Sequence, residues 1–229
     1  MPRLDQLLAR NLGCSRSKAR QLIDAHEAKR EIPEAELPLH FELPDGPIDL
    51  YDRFSLALNK PTGLVTALYD PIHRTVRELV REAPLYDELR PAGRLDMDTT
   101  GLLIWTSDGT WLHKITHPRS RIPRTYHAAL ARPFRTPDAD LVLEDGHRPE
   151  IGELGLIQSA DAHPSLARSP EATTYATITI VGGAYHEVRR IFAALGSHVL
   201  GLCRVRFGKL ALPNDLPLGE WIPISPLDV

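Results

Sequence analysis

From Arg53 onward the chain is a series of short β-type runs divided by turn signals, and helix-like stretches interrupt them at irregular places. "FSLALNKPTGLV" reads as a strand, a Pro-Thr-Gly turn and a second strand. "TTGLLIWTSDG" reads as a strand closed by an Asp-Gly turn, and "TWLHKITHP" as a short helix stopped by Pro118. Residues 173–181, "TTYATITIV", alternate between two sets of side chains, the period that places one set on each face of a sheet. In "YHEVRRIFAALG", Val188, Ile191, Phe192 and Leu195 recur at helical spacing and Gly196 supplies the stop. "HVLGLCRVRFGKL" is one more β-run. Strands outnumber helices without alternating with them, which favours an α+β fold on a largely antiparallel sheet over a doubly wound one.

The first 52 residues have another texture. Leu4, Leu7, Leu8 and Leu12 mark one helix, Gly13 stops it, and Ser15 can cap a second helix running towards Ala28. Arg16, Lys18 and Arg20 lie near the start of that second helix, where they can meet phosphates or simply solvate its outer face. Residues 31–52 mix prolines with acids and show no sustained period, so they read as an acidic linker with at most one short strand. The expected division is a helical module at 1–30, the linker at 31–52 and a main domain at 53–229. A chain of 229 residues has room for one sizeable core and such an appendage.

Charge adds a second constraint. The net charge is −3, yet residues 1–30 carry seven Lys/Arg against three Asp/Glu, 90–135 carry eight against three, and 186–209 carry five against one. The acids collect in 31–52 and 136–175. Three basic blocks separated by acidic ones can fold into one positive cleft backed by a negative surface, the footprint of a nucleic-acid partner. No apolar run approaches the roughly 18 residues that span a bilayer, and "MPRLDQLLAR" lacks a signal core. Cys14 and Cys203 have no paired spacing, and the ten histidines show no ligand spacing. A cytoplasmic monomer without a metal site or membrane segment is expected.

The densest chemistry lies in "AGRLDMDTTGLL", residues 92–103. As plain turn chemistry, Arg94 would pair with Asp96 while Asp98 and Thr99 satisfy backbone amides. As D-x-D-x-T it could be the aspartyl loop of a haloacid-dehalogenase-like phosphotransferase, but that loop follows a buried apolar strand, and the chain lacks an Asp-Asp pair to hold magnesium. The longer phrase G-R-L-D-x-D-T-T-G-L resembles the signature of the RsuA-type pseudouridine synthases. "LNKPTG" (58–63), "RTYHAAL" (124–130), "YHEVRRIFAALG" (185–196) and "GLCRVRFGKLAL…LPLGEW" (201–221) resemble further segments of that family in the same order. The first two helices also resemble the family's N-terminal RNA-binding module, similar to ribosomal protein S-four. Residues 24–46 stand where that module has a β-portion of the V-x-V-D-G kind, so the module reads as truncated.

The resemblance implies a pseudouridine-synthase fold with a central cleft, and isomerisation of a uridine in 16S ribosomal RNA or a small-subunit assembly intermediate, without a cofactor. It assigns the reactive carboxylate to Asp96, as nucleophile or as base towards the ribose. Arg189 is the implied basic partner, with His186 three residues away on the same face. A base inside a stack cannot reach a carboxylate, so the nucleotide must flip into a pocket. RNA closing over Asp96 strips water from its charge, and an arginine about 4 Å away supplies on the order of 4 kcal/mol of attraction at an effective dielectric near 20. Tyr126 would stack on the uracil and help remove the C5 proton. Arg94 would contact phosphate or fill the space the base leaves, and Asp98 would stabilise the loop. Lys60, Lys114, Arg119, Arg121 and Arg124 are the remaining candidates for phosphate contacts. Two other readings are a synthase acting on 23S ribosomal RNA and a non-catalytic ribosome-assembly RNA-binding protein.

Overall fold

The computed structural model describes residues 3–24, 37–43, 46–138 and 140–229. Helices α1 (Leu4–Leu12) and α2 (Arg16–Asp24) pack through Leu4, Leu7, Leu8, Ala19 and Ile23, the stripe that helical spacing requires. Gly13 ends α1 in the left-handed region at φ 59°. Ser15 Oγ accepts from the Lys18 amide at 3.2 Å and so caps α2. The expected continuation of α2 towards Ala28 lies outside the described residues.

The acidic segment is more than a linker. Strands β1 (Leu39–Leu43) and β2 (Gly46–Leu50) form an antiparallel hairpin, with Phe41 and Leu50 buried in the same cluster as α1 and α2. Leu39, Phe41, Leu43, Ile48 and Leu50 turn inward while His40, Glu42, Pro47 and Asp49 face solvent. The acids and the proline thus occupy the outer face, and they hid a period of two on the inner one. This unit docks on the rest through Arg10, which meets Glu88 and Asp52 at 2.7 Å each. Asn11 adds a reciprocal pair of side-chain bonds with the Tyr51 backbone.

The main sheet contains β3 (Ser55–Lys60), β4 (Arg90–Pro91), β5 (Thr99–Thr106), β6 (Arg124–Leu130), β7 (Ile151–Ile157), β8 (Thr174–Ile180), β9 (Val199–Phe207), β10 (Leu210–Ala211) and β11 (Trp221–Pro223). Its order is β11-β3-β5-β9-β6-β8-β7, with β4 beside β5 and β10 beside β9. Every pairing is antiparallel except β5 with β9, where Thr99, Thr100 and Gly101 lie opposite Leu202, Cys203 and Arg204. Helix α4 (Glu187–Ala194) covers one face through Val188, Ile191 and Phe192. Helix α3 (Gly109–Thr116) covers the other through Trp111 and Ile115. All eight residues of β5 are buried. Covered on both faces, this strand has no use for a polar side, hence the unbroken run Leu102-Leu103-Ile104-Trp105.

Two local expectations fail. No second strand follows the Pro-Thr-Gly turn; Val65 makes one isolated bridge to Thr75. The Asp-Gly pair after β5 is a helix cap instead of a turn: Asp108 caps α3, its Oδ1 accepting from the Thr110 and Trp111 amides at 2.9 and 3.0 Å.

Candidate active site

Asp96 sits on a loop that enters β5 directly, and the backbone of that loop is held from beneath by the "LNKPTG" segment and the residues after it. The Lys60 ammonium, fully buried at the end of β3, donates to the carbonyls of Pro61, Asp96 and Thr99 at 2.9, 3.0 and 3.0 Å. The Gly63 amide donates to Met97 O at 2.8 Å. Thr66 Oγ1 donates to Leu95 O at 2.8 Å and accepts from the Leu95 amide at 3.1 Å. The Thr99 amide closes the turn on Asp96 O at 3.1 Å. Each carbonyl from Leu95 to Met97 therefore has a donor, as a buried irregular loop requires. Lys60 was expected to touch phosphate, and its burial under the loop rules that out. Burial also pulls its amine down to about 8, against the opposing charges of Asp98 and Asp96.

Above the loop, the start of α4 presents an imidazole and a guanidinium to Asp96. His186 Nε2 lies 3.5 Å from Asp96 Oδ1, and Arg189 Nε lies 3.9 Å from Oδ2. Arg189 is anchored by Asp98, whose Oδ1 accepts from Nη2 at 2.8 Å, and it donates to Val199 O at 3.3 Å. Its Nε is buried without a hydrogen-bond partner. Asp98 was expected to steady its own loop; it aims the arginine instead. His186 adopts φ 50° at the N-terminus of α4, and the Tyr185 ring stacks on it with centroids 3.9 Å apart.

These groups border a cavity of about 360 Å³, within the range typical of small-ligand sites, about 300–1,000 Å³. Tyr126 projects into it from β6, and Leu202 of β9 and the exposed Arg94 add to the lining. The Gly182–Ala184 loop forms a further wall, fixed by the buried Glu187, which accepts from the Ala184 amide at 2.9 Å and meets His147 Nε2 at 2.8 Å. A Cβ on Gly182 would stand 2.8 Å from Glu187 Oε2, so any side chain there would require the carboxylate to shift. Glu187 gave no sequence signal, since an acid in a basic helix reads as surface.

The cavity thus gathers Asp96, Tyr126, Arg189, His186 and Arg94 from three separate stretches of chain. Arg124 and Arg121 line an adjoining cavity, Arg121 in an ion pair with Glu150 and Arg124 donating to Gly182 O. Lys114 and Arg119 are exposed and line neither. Arg16 and Arg20 bind the buried carboxylate of Asp5 at 2.9 and 3.0 Å, while Lys18 is exposed. Burial works against the Asp5 charge, but the bonds from Arg16 and Arg20 prevail and hold its carboxyl well below the usual range.

The sequence profile of a family described as RNA pseudouridylate synthase matches residues 55–194. The ribosomal small subunit pseudouridine synthase A of Escherichia coli is 36% identical over 231 residues, covering 97% of this chain and 96% of that protein. The protein of the same name from Haemophilus influenzae is 33% identical, covering 99% and 97%. A crystal structure of a pseudouridylate synthase, 28% identical, superimposes with a TM-score of 0.61 and covers 98% of this chain and 96% of that one.

Proposed function

Because the chain belongs to the RNA pseudouridylate synthase family, we propose that it converts one uridine of 16S ribosomal RNA to pseudouridine. It would act as a cytoplasmic monomer on the free RNA or on a small-subunit assembly intermediate. The observation that carries the reading is the placing of Asp96 between Arg189 and His186 in a cavity that Tyr126 shares. Relatives named for the small subunit match almost end to end and support the choice of RNA.

The reaction breaks the N1–C1′ bond, turns the uracil, joins C5 to C1′ and moves a proton from C5 to solvent while N1 gains one. Asp96 either attacks the sugar or ring, or removes a proton from the ribose. Arg189, held by Asp98, keeps a positive charge beside that carboxylate when RNA excludes water. Tyr126 stacks on the flipped base and assists loss of the C5 proton. Arg94 contacts the RNA at the rim, and Arg16, Lys18 and Arg20 on α2 add to its grip. Carbodiimide mapping of 16S ribosomal RNA after incubation with the protein should show one new adduct, at a single uridine. An unchanged map on both free RNA and small-subunit particles would defeat the proposal.

Two further results are expected. Tyr126→Phe keeps the ring and hence RNA binding, but slows the release of tritium from C5-labelled uridine about 100-fold; an unchanged rate would reduce Tyr126 to packing. The rate should also fall as pH rises through about 8, because neutral Lys60 retains two N–H donors for three carbonyls. For stability the sign is opposite: between pH 8 and 10.5 the folded state has released a proton that the unfolded chain still holds, so the burial penalty of Lys60 shrinks as pH rises. Lys60→Met should lose the alkaline limb and cost about 100-fold in rate through a displaced loop. A wild-type rate flat to pH 9 would contradict this role.

A further inference from the structure

A second cavity of about 580 Å³ adjoins the first and shares Arg94, Tyr126, Gly183 and Ala184 with it. Arg94, Arg121, Arg124, Arg204 and His117 line it, and no acidic residue does. Arg121 is neutralised by Glu150. Arg124 and Arg204 have no carboxylate at ion-pair distance among the described residues. Arg204 is 2% exposed; its Nε donates to Leu102 O at 2.7 Å, and its Nη2 is buried with no hydrogen-bond partner. The two guanidiniums stand near one aromatic ring, 5.1 Å and 5.5 Å from the centroid of Phe207. Burial acts against the charge on Arg124, as does the neighbouring Arg204 to a smaller extent, while Tyr126 and Glu187 partly offset them.

A buried guanidinium, Arg204, beside the half-buried Arg124, with no carboxylate at ion-pair distance from either among the described residues, is a costly arrangement unless an anion completes it. A guanidinium fork matches phosphate geometry, and a nucleotide joins its base to phosphates a few bonds away. Resting on the uridine-isomerase reading, we infer that this cavity is a phosphodiester site: Arg124 and Arg204 hold a phosphate flanking the uridine flipped towards Asp96, with Tyr126 between base and phosphate. Arg204, absent from the sequence-derived candidates, is then a substrate-binding residue. With its phosphate fixed, the sugar is held relative to Asp96, so the cavity sets the position of C1′ as well as affinity.

The test compares uridine 5′-monophosphate with uridine, which differ by the phosphate alone, using the full chain in low salt and calorimetry. Wild type should bind the monophosphate roughly tenfold more tightly. Arg124→Gln and Arg204→Met should each reduce that preference below about twofold and lower the salt slope of RNA binding by about 0.7. If Arg204→Met fails to fold by circular dichroism, Arg124→Gln carries the test alone. A folded Arg124→Gln that keeps both the preference and the slope overturns the site, as does a wild type that binds the two ligands equally. Inorganic phosphate binding as tightly as the monophosphate also overturns it, since a free-anion site owes nothing to the nucleotide. Tritium release by wild type separates the two claims: release with an unaltered slope removes the phosphate site and leaves the isomerase, whereas no release with the arginine-dependent preference intact removes the isomerase and supports the nucleotide-phosphate site.

Discussion

Asp96→Asn is expected to leave the chain folded and bound to 16S ribosomal RNA while lowering tritium release from C5 by at least about 1,000-fold. The amide has nearly the shape of the acid but neither its negative charge nor its capacity to attack or accept a proton. The fold should not notice the change, because the loop is fixed through backbone carbonyls: Asp96 O is held by Lys60 and the Thr99 amide whatever the side chain carries. The carboxylate itself is 34% exposed and stands 3.5 Å from the His186 imidazole and 3.9 Å from the Arg189 guanidinium, which keeps its pair with Asp98, so its removal leaves no deeply buried unpaired charge. RNA affinity should hold or rise, since one negative charge leaves a site that meets phosphates. A variant that melts like wild type and retains a tenth of its rate would show that the carboxylate is not the reactive group.

Gly101→Ala should lower stability by about 4 kcal/mol or more, and the melting temperature by about 10 °C. Gly101 has φ +102°, where any side chain is strained, and an added Cβ would stand 2.4 Å from the Arg204 carbonyl oxygen and 2.8 Å from both the Arg204 amide nitrogen and Cys203 Sγ. The partner strand cannot retreat, because β9 is paired on its other side with β6. Relief would have to come from parting β5 and β9 at the point where the Asp96 loop enters the sheet, so the surviving folded fraction should also react slowly. Differential scanning calorimetry on the pair of proteins checks this. A loss under 3 °C would mean that the parallel β5–β9 contact is looser than the structure describes.

What was legible in the sequence was whatever a local period or a contiguous phrase could carry. The leucines of α1, the apolar stripe of α4 and the alternation of β8 each report the face they bury. The phrase around Asp96 identifies a loop because its residues act within a few positions of one another. The rest depends on contacts across the chain. Lys60 looks like a surface lysine until β3 carries it beneath the carbonyls of a loop 36 to 39 residues later. Asp98 looks like turn chemistry until α4 delivers Arg189 to it. Arg204 lies in an ordinary β-run, and its lack of an acidic partner becomes visible when β6 brings Arg124 alongside. In the β1–β2 hairpin the composition of the solvent-facing side masked the period of the buried side, which is why an acidic stretch passed for a linker.

The most direct test of the central claim is tritium release by wild-type protein from 16S and 23S ribosomal RNA labelled at C5 of uridine, each supplied free and as subunit particles. Release approaching one tritium per molecule of 16S RNA, with none from 23S, is the predicted result, and no release from any of the four substrates would contradict it.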